Sequence, residues 1–265
     1  MDIKVCDDAV QLSEEPDAAT PDEAPETDPA LVEKLRQGFA WQYPAAALAQ
    51  VPAKVSVTSI VHKAEQTTLE RPGFLSKDGL TAAEMGTALH AFLEHADFAR
   101  LAEAKAAGTL DEAIPAERDR QVAVQLTAPE IAEKLDAVCI RRFVESEAFA
   151  KICAAQQVLR ELPFITALPA GAVLAAQGAA LPPTDSEASM AQVLVQGIAD
   201  LVLVFPDHLE LLDYKTDRRK AESDFLRAYR AQLNLYAIAI EKRFAPKKVT
   251  YKGIYSFALG KLIEA

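Results

Sequence analysis

The sequence predicts an α/β protein with a run of helices inserted ahead of its sheet, and three observations predict it. Residues 97–156 carry helical periodicity throughout. At Val158 the period falls to two, and Val158–Ala167, Gln192–Phe205 and Leu209–Tyr214 read as strands, the last two joined by a Pro-Asp turn at Pro206–Asp207. Glu222–Phe244 then returns to an amphipathic helical pattern, and Lys248–Phe257 closes the order as a strand.

Each element has a local reason. Residues 1–29 are acidic, rich in Pro and Ala and free of aromatics, a composition that predicts a disordered lead. A short helix is expected over Pro29–Arg36, and Trp41, Tyr43 and Pro44 open a segment too aromatic for a linker. Val55–Ile60 alternates like a strand and leads into a helix over Ser59–Gln66. Thr81 and Glu84 stand at capping-box spacing, and Met85, Leu89, Phe92 and Leu93 form one apolar stripe behind them. Gly86 and His90 lie four apart on a neighbouring face, where the bare glycine admits a close approach. The helical stretch divides into Asp97–Ala107, Ala116–Gln125, Pro129–Phe143 and Ser146–Gln156. Ala170–Ala176 is expected to be the hairpin partner of Val158–Ala167, with a mobile loop over Gln177–Ser189.

Composition narrows the function classes. The 265 residues are half apolar, enough for a sizeable core in one large domain or two small ones. No run of about 18 apolar residues exists to span a membrane, and the N-terminus lacks the basic-then-apolar order of a signal peptide. Cys6, Cys139 and Cys153 are irregularly spaced and odd in number. They exclude a disulfide framework, and a four-cysteine zinc or iron–sulfur site built by this chain alone. A reducing cytoplasm is the expected compartment. The net charge of −11 is concentrated: residues 1–30 hold ten acids and one lysine, whereas Leu211–Lys261 holds twelve Lys/Arg against five Asp/Glu. That basic segment, with Arg218, Arg219, Lys220, Arg227 and Arg230, is a footprint for phosphates or a solvated helix face.

The chemistry is concentrated in the strands. Asp213 and Lys215 are two apart, so they share a face, and the hairpin sets Asp200 on the neighbouring strand. Two carboxylates with a lysine make a hard-oxygen site for Mg²⁺ or Mn²⁺ and an ammonium for a developing negative charge; a plain Asp–Lys pair at a strand end is the other reading. Gln232 and Tyr236, one helical turn apart, can converge beside the carboxylates. His90 is a candidate ligand only in their company.

In series, Gly86–His90, Arg160–Phe164, Gln196–Asp200, Asp213–Asp217 and Gln232–Tyr236 resemble the RecB-type nucleases of the PD-(D/E)xK superfamily, and among these the C-terminal nuclease domain of the AddA type found in bacterial helicase–nucleases. The resemblance covers roughly residues 40–260. It implies a restriction-endonuclease-like core, a mixed sheet flanked by helices, in a nuclease domain over 30–265. Within it, 97–157 is a helical insertion and 158–257 the catalytic sheet and helix. It implies His90, Asp200 and Asp213 as metal ligands, Lys215 as the catalytic lysine, and Gln232 and Tyr236 as supporting or DNA-contacting residues. Glu161 falls in the family's strand motif and is a further candidate; its simpler reading is a hydrogen-bonded strand acid or an ion pair with Arg160.

The implied activity is Mg²⁺-dependent DNA cleavage, with Mn²⁺ able to substitute, exonucleolytic on single strands fed by a helicase during double-strand-break repair and recombination. The implied partners are DNA, a helicase motor in the same or another chain, and a second helicase–nuclease subunit. Relatives with an iron–sulfur cluster carry four cysteines, which this chain lacks, so no cluster is expected. No G-x-x-x-x-G-K-[ST] phosphate loop occurs either, so the chain is expected to be an excised domain or a stand-alone homologue. The alternative function is a catalytically inactive DNA-binding or subunit-docking module.

Overall fold

The computed structural model describes residues 28–41, 46–49, 51–57, 82–178, 187–219 and 221–265. The acidic lead up to residue 27, Tyr43, Pro44, the helix expected over 59–66, Thr81, the loop at 179–186 and Lys220 lie outside the described residues.

The chain divides into two compact units, Met1–Ala46 and Ala47–Ala265. In the first, α1 (Pro29–Ala40) starts at an Asp28 cap whose carboxylate accepts the Ala30 N–H, with Pro29 where its missing N–H costs nothing. It runs one turn beyond the expected Arg36. The unit ends at Ala46, the first residue of a four-residue turn, α2 (Ala46–Ala49), whose other three residues belong to the second unit.

The second unit is a mixed sheet between two helical layers. Its strands are β1 (Lys54–Ser56), β2 (Gln157–Pro169), β3 (Gln192–Val204), β4 (His208–Lys215), β5 (Lys248–Ser256) and β6 (Lys261–Glu264). Strand β3 is the spine. Antiparallel β2 pairs along its whole length, from Gln157 opposite Val204 to Pro169 opposite Gln192. The other edge of β3 is shared: parallel β1 takes Leu194–Gln196, and antiparallel β4 takes Leu201–Val204. Strand β5 then runs parallel to β4, and β6 pairs antiparallel to β5.

One face of the sheet carries α3 (Ala82–His95), α4 (Phe98–Ala107), α5 (Leu110–Ala123), α6 (Pro129–Ala132), α7 (Ala137–Glu145) and α8 (Glu147–Ala154). Phe92, Phe143 and Phe149 from these helices pack on Leu201, Leu203, Leu212, Tyr214 and Tyr255 of the sheet. Phe143 is the hub, with ring centroids 5.7 Å from Phe149, 5.5 Å from Tyr214 and 5.0 Å from Tyr255. On the other face α11 (Glu222–Arg243) presses Leu235, Tyr236 and Ile240 onto Val193, Val195, Val202, Leu209 and Leu211. Burial on both faces explains why β3 and β4 read as near-continuous apolar runs.

Four local expectations differ from the fold. Ala170–Ala176 is a helix, α9, not a strand. Strand β3 itself occupies the edge of β2 along its full length, and the alanine-rich segment takes the conformation alanine favours. The helix expected at Ala116 begins at Leu110, because Pro115 is accommodated inside it rather than preceding it. Pro129–Phe143 is two helices, since the Asp136 carboxylate accepts the Val138 N–H and starts α7 afresh. Within 177–189, Glu187–Met190 is a helical turn, α10. Strand β6 had no counterpart among the sequence expectations, being four residues long.

Candidate active site

The site forms where the sheet comes apart. Strands β3 and β4 stop pairing after Leu201–Leu212, so Asp200 and Asp213 lie one residue past the last rung. The Tyr214 N–H beyond that rung donates to Asp200 Oδ2 at 2.8 Å. A backbone donor is thus satisfied by a side chain of the strand that has turned away. Strand β4 stays pinned on its other side: β5 remains in register as far as Lys215–Ser256, and the Phe257 N–H donates to the Lys215 carbonyl.

Asp213 is 1% exposed. Its Oδ2 lies 2.5 Å from Lys215 Nζ, and its Oδ1 accepts from Gln232 Nε2 at 3.2 Å. The same Gln232 nitrogen donates to the Tyr236 hydroxyl at 2.9 Å. Gln232 and Tyr236 are each 4% exposed, so their place is behind Asp213 and away from solvent.

Strand β2 supplies the next acid. Pairs Arg160–Leu201 and Leu162–Ala199 flank a rung that sets Glu161 opposite Asp200. Glu161 has φ +44°, left-handed backbone that costs a non-glycine residue about 1–3 kcal/mol and collects at functional sites. Arg160 turns elsewhere, donating to the Leu93 and Ala96 carbonyls at the end of α3 and lying 4.3 Å over the Phe98 ring. Glu161 instead faces His90, whose Nδ1 is 3.5 Å from Glu161 Oε1 and 3.7 Å from Asp200 Oδ2.

Helix α3 brings His90 in by close packing. A Cβ on Gly86 would meet Thr216 Oγ1 at 2.7 Å, so the bare glycine lets the helix lie against the segment after Lys215. The imidazole also stands edge-on to the Tyr214 ring at 5.7 Å. Ligand atoms of His90, Glu161 and Asp200 all lie within 4.8 Å of one another. Asp213 is occupied by Lys215 and Gln232 and is not in that cluster.

Burial and like charge govern the protons. Burial pushes the Asp213 carboxyl up to about 7; Lys215 pulls it down, and the Asp200 charge adds to the rise. Burial would lower the Lys215 ammonium, yet Asp213 and Asp200 outweigh it and hold the group above the ordinary lysine value. His90 follows the same pattern: burial lowers it, while Glu161 and Asp200 prevail and raise it. Two clustered carboxylates beside an imidazole, with the charge of Asp213 felt by both Asp200 and His90, are an oxygen-and-nitrogen donor set that suits Mg²⁺ or Mn²⁺. The residues therefore fit a divalent cation, which would replace protons as their counter-charge.

Among the described residues the basic side chains do not form one patch at this centre. Arg219 is paired with Asp217, Nε to Oδ2 at 2.5 Å, and Arg218 is exposed. Arg227, 81% exposed, and Arg230 stand on the outer side of α11. With Ser223 and Asn234 they line a cleft of about 430 Å³ against the end of α9. Sequence reasoning passed over Tyr229, whose ring lies 4.7 Å from Lys215 Nζ. Its spacing of three and seven residues before Gln232 and Tyr236 was the available signal.

The profile of the PD-(D/E)XK nuclease superfamily matches residues 62–261, most of the chain and all of the site. The chain belongs to the PD-(D/E)XK nuclease superfamily. Within this superfamily it is similar to the AddA-type proteins, whose names describe them as subunits of an ATP-dependent helicase/nuclease. It is 32% identical to that of Acetivibrio thermocellus over 248 residues, which is 87% of this chain and 18% of the relative. The Moorella thermoacetica protein is 35% identical over 237 residues, 83% of this chain and 16% of the relative. The Heliobacterium modesticaldum protein is 36% identical over 198 residues, 71% and 13% respectively. The chain thus spans under a fifth of the length of these relatives.

Proposed function

We propose that this nuclease-superfamily chain is a metal-dependent deoxyribonuclease whose centre is built by His90, Glu161, Asp200, Asp213 and Lys215. The carrying observation is the convergence of His90, Glu161 and Asp200 within 4.8 Å beside a buried Asp213–Lys215 pair. In this reading Asp213-Tyr214-Lys215 is the (D/E)XK of the superfamily name and Ala199-Asp200 takes the part of its Pro-Asp; both lie within the matched residues 62–261. His90, Asp200 and Asp213 would hold the ion, with Glu161 opposite Asp200 as a further carboxylate. When bound, Mg²⁺ or Mn²⁺ supplies Lewis-acid polarisation of a phosphoryl oxygen and a water of lowered pKa.

The chain's own groups do the rest. Lys215 keeps its proton and places positive charge where phosphoryl charge builds up. Gln232 holds the Asp213 carboxylate from behind, and its second bond to Tyr236 fixes the amide in turn. Arg218, Arg219, Lys220, Arg227 and Arg230 contact phosphates.

The relatives' name, that of a helicase/nuclease subunit, supports a setting in which a helicase delivers DNA to this centre; in this reading the cleavage is exonucleolytic on single strands and serves break repair and recombination. The motor belongs to the same full-length polypeptide or a partner chain, and a second helicase–nuclease subunit joins them. Among the described residues no helix is long and apolar enough to cross a membrane, and the proposed compartment is the bacterial cytoplasm, at the nucleoid. The test is cleavage of labelled single-stranded DNA with Mg²⁺, Mn²⁺ or chelator, by wild type and Asp213→Ala. Metal-dependent cleavage abolished by Asp213→Ala is expected. DNA binding without cleavage by either protein would favour the docking-module reading.

A further inference from the structure

Lys215 is flanked by more than its carboxylate. Among the described residues two side chains hold the ammonium: Asp213 at 2.5 Å, and the ring of Tyr229 with its centroid 4.7 Å away. That ring is itself anchored. The Tyr229 hydroxyl donates to Asp217 Oδ2 at 2.9 Å and accepts from Arg219 Nη2 at 3.4 Å, while Arg219 Nε closes the triangle on the same Asp217 oxygen. Strand β4 carries Lys215 into Asp217 and Arg219, and α11 carries Tyr229, so the triangle ties helix to strand just past the lysine. Tyr229 is 5% exposed and rests on Phe225, Leu233 and Ile254. Burial, first of all, pushes its hydroxyl up to about 12, so the ring stays neutral and the hydroxyl remains a donor.

We propose that Tyr229, latched by Asp217 and Arg219, is a positioning residue that holds the Lys215 ammonium in place. The inference rests on the reading of Lys215 as the catalytic lysine. The physical need is specific. Lysine is a point charge on a flexible four-carbon stem, and here its nearest partner is a carboxylate proposed to ligate an ion. As Asp213 turns its charge to a cation, its hold on Lys215 slackens. The ring face attracts an ammonium through its quadrupole whatever the state of Asp213. An aromatic platform therefore keeps the lysine in place while the carboxylate serves the metal. A ring that merely packed would need neither the ammonium over its face nor two groups gripping its hydroxyl.

The test compares Tyr229→Leu, Tyr229→Phe and Asp217→Ala with wild type in three measurements. These are thermal melting, single-turnover cleavage of single-stranded DNA over a Mn²⁺ titration, and acylation of the Lys215 amine by acetic anhydride, read by peptide mass spectrometry without metal. Tyr229→Leu should cut at least tenfold more slowly at saturating Mn²⁺, with the Mn²⁺ midpoint within twofold of wild type. Its Lys215 should acylate at least fivefold faster. Tyr229→Phe keeps the ring and loses the grip, so it should slow cleavage by only about threefold; Asp217→Ala, which leaves the core untouched, should match it. Folded Tyr229→Leu that acylates like wild type overturns the proposal, as does cleavage by it within twofold of wild type. If wild type shows no metal-dependent cleavage, the nuclease reading fails, and acylation still judges the positioning of the amine. If Tyr229→Leu does not fold, Asp217→Ala decides: unchanged acylation and cleavage overturn the latch.

Discussion

Replacing Lys215 with methionine separates a chemical role from a structural one, because the two predict different dependences on pH. Methionine keeps the length and apolar stem of the side chain and removes the charge 2.5 Å from Asp213 Oδ2. Breaking a buried ion pair costs about 3–5 kcal/mol when the remaining charge stays buried. Asp213, at 1% exposure, has an escape: its carboxyl is already pushed up to about 7, and loss of the lysine pushes it further, so it takes up a proton instead. A carboxyl raised above its unfolded value binds a proton in the folded state first. Stability then falls with rising pH through the window between the two values, by about 1.4 kcal/mol per unit. In wild type that window closes near pH 7; in Lys215→Met it stays open above. The lysine, raised in the fold, contributes stability that is fully present below its ordinary value of 10.5 and lost only above it. Its own contribution is therefore flat from pH 7 to 9. The deficit of the variant should grow by roughly 2–3 kcal/mol across those two units, about 5–10 °C in melting temperature for a unit of this size. Saturating Mn²⁺, by holding Asp213 ionised, should flatten that dependence, and Mn²⁺ should bind at least as tightly as in wild type. Single-turnover cleavage per folded molecule should fall at least about 100-fold. A deficit flat from pH 7 to 9 would refute the electrostatic argument, and turnover within tenfold of wild type would refute the catalytic role.

Four further outcomes are expected. Asp200→Ala should lose metal binding at least tenfold by calorimetric Mn²⁺ titration and also about 1–2 kcal/mol of stability, since the Tyr214 N–H loses its acceptor; Asp200→Asn should spare most of the stability. Gly86→Ala places a Cβ against Thr216 Oγ1 and should cost about 1–3 kcal/mol in urea melts, while Thr216→Ala in the same chain should restore most of it. Glu117, 4% exposed, is held below the usual carboxylate range because its bonds from Arg120, Gln121 and the Asp97 N–H outweigh the cost of burial. That contribution is present above the ordinary value near 4.5 and lost as pH falls through the lower folded value, so Glu117→Gln should cost about 1–3 kcal/mol at pH 7 and progressively less below pH 4. Arg227→Gln with Arg230→Gln should reduce the salt dependence of single-strand binding by a slope of about 1–2 without moving the Mn²⁺ midpoint.

What could be read from the chain itself was whatever a single element decides. The apolar runs of β3 and β4 and the apolar stripe of α11 placed those elements within a residue or two, since each buries its own apolar positions whatever its neighbours are. Spacing of two put Asp213 and Lys215 on one side of a strand, and spacing of four put Gln232 and Tyr236 together on α11. Pairing and packing decided the rest. Glu161 became a neighbour of Asp200 through the β2–β3 register, and Arg160 beside it was drawn off to the end of α3. Asp213 faces Lys215 and Gln232 before it faces any ion, and Tyr229 lies over the ammonium because α11 crosses behind the end of β4. The opening of the site depends on where β4 leaves β3, a matter of two strands competing for one edge. Local spacing determines which side chains share a face; only long-range pairing determines which faces meet, because no residue carries in its own neighbourhood the register of a strand far along the chain.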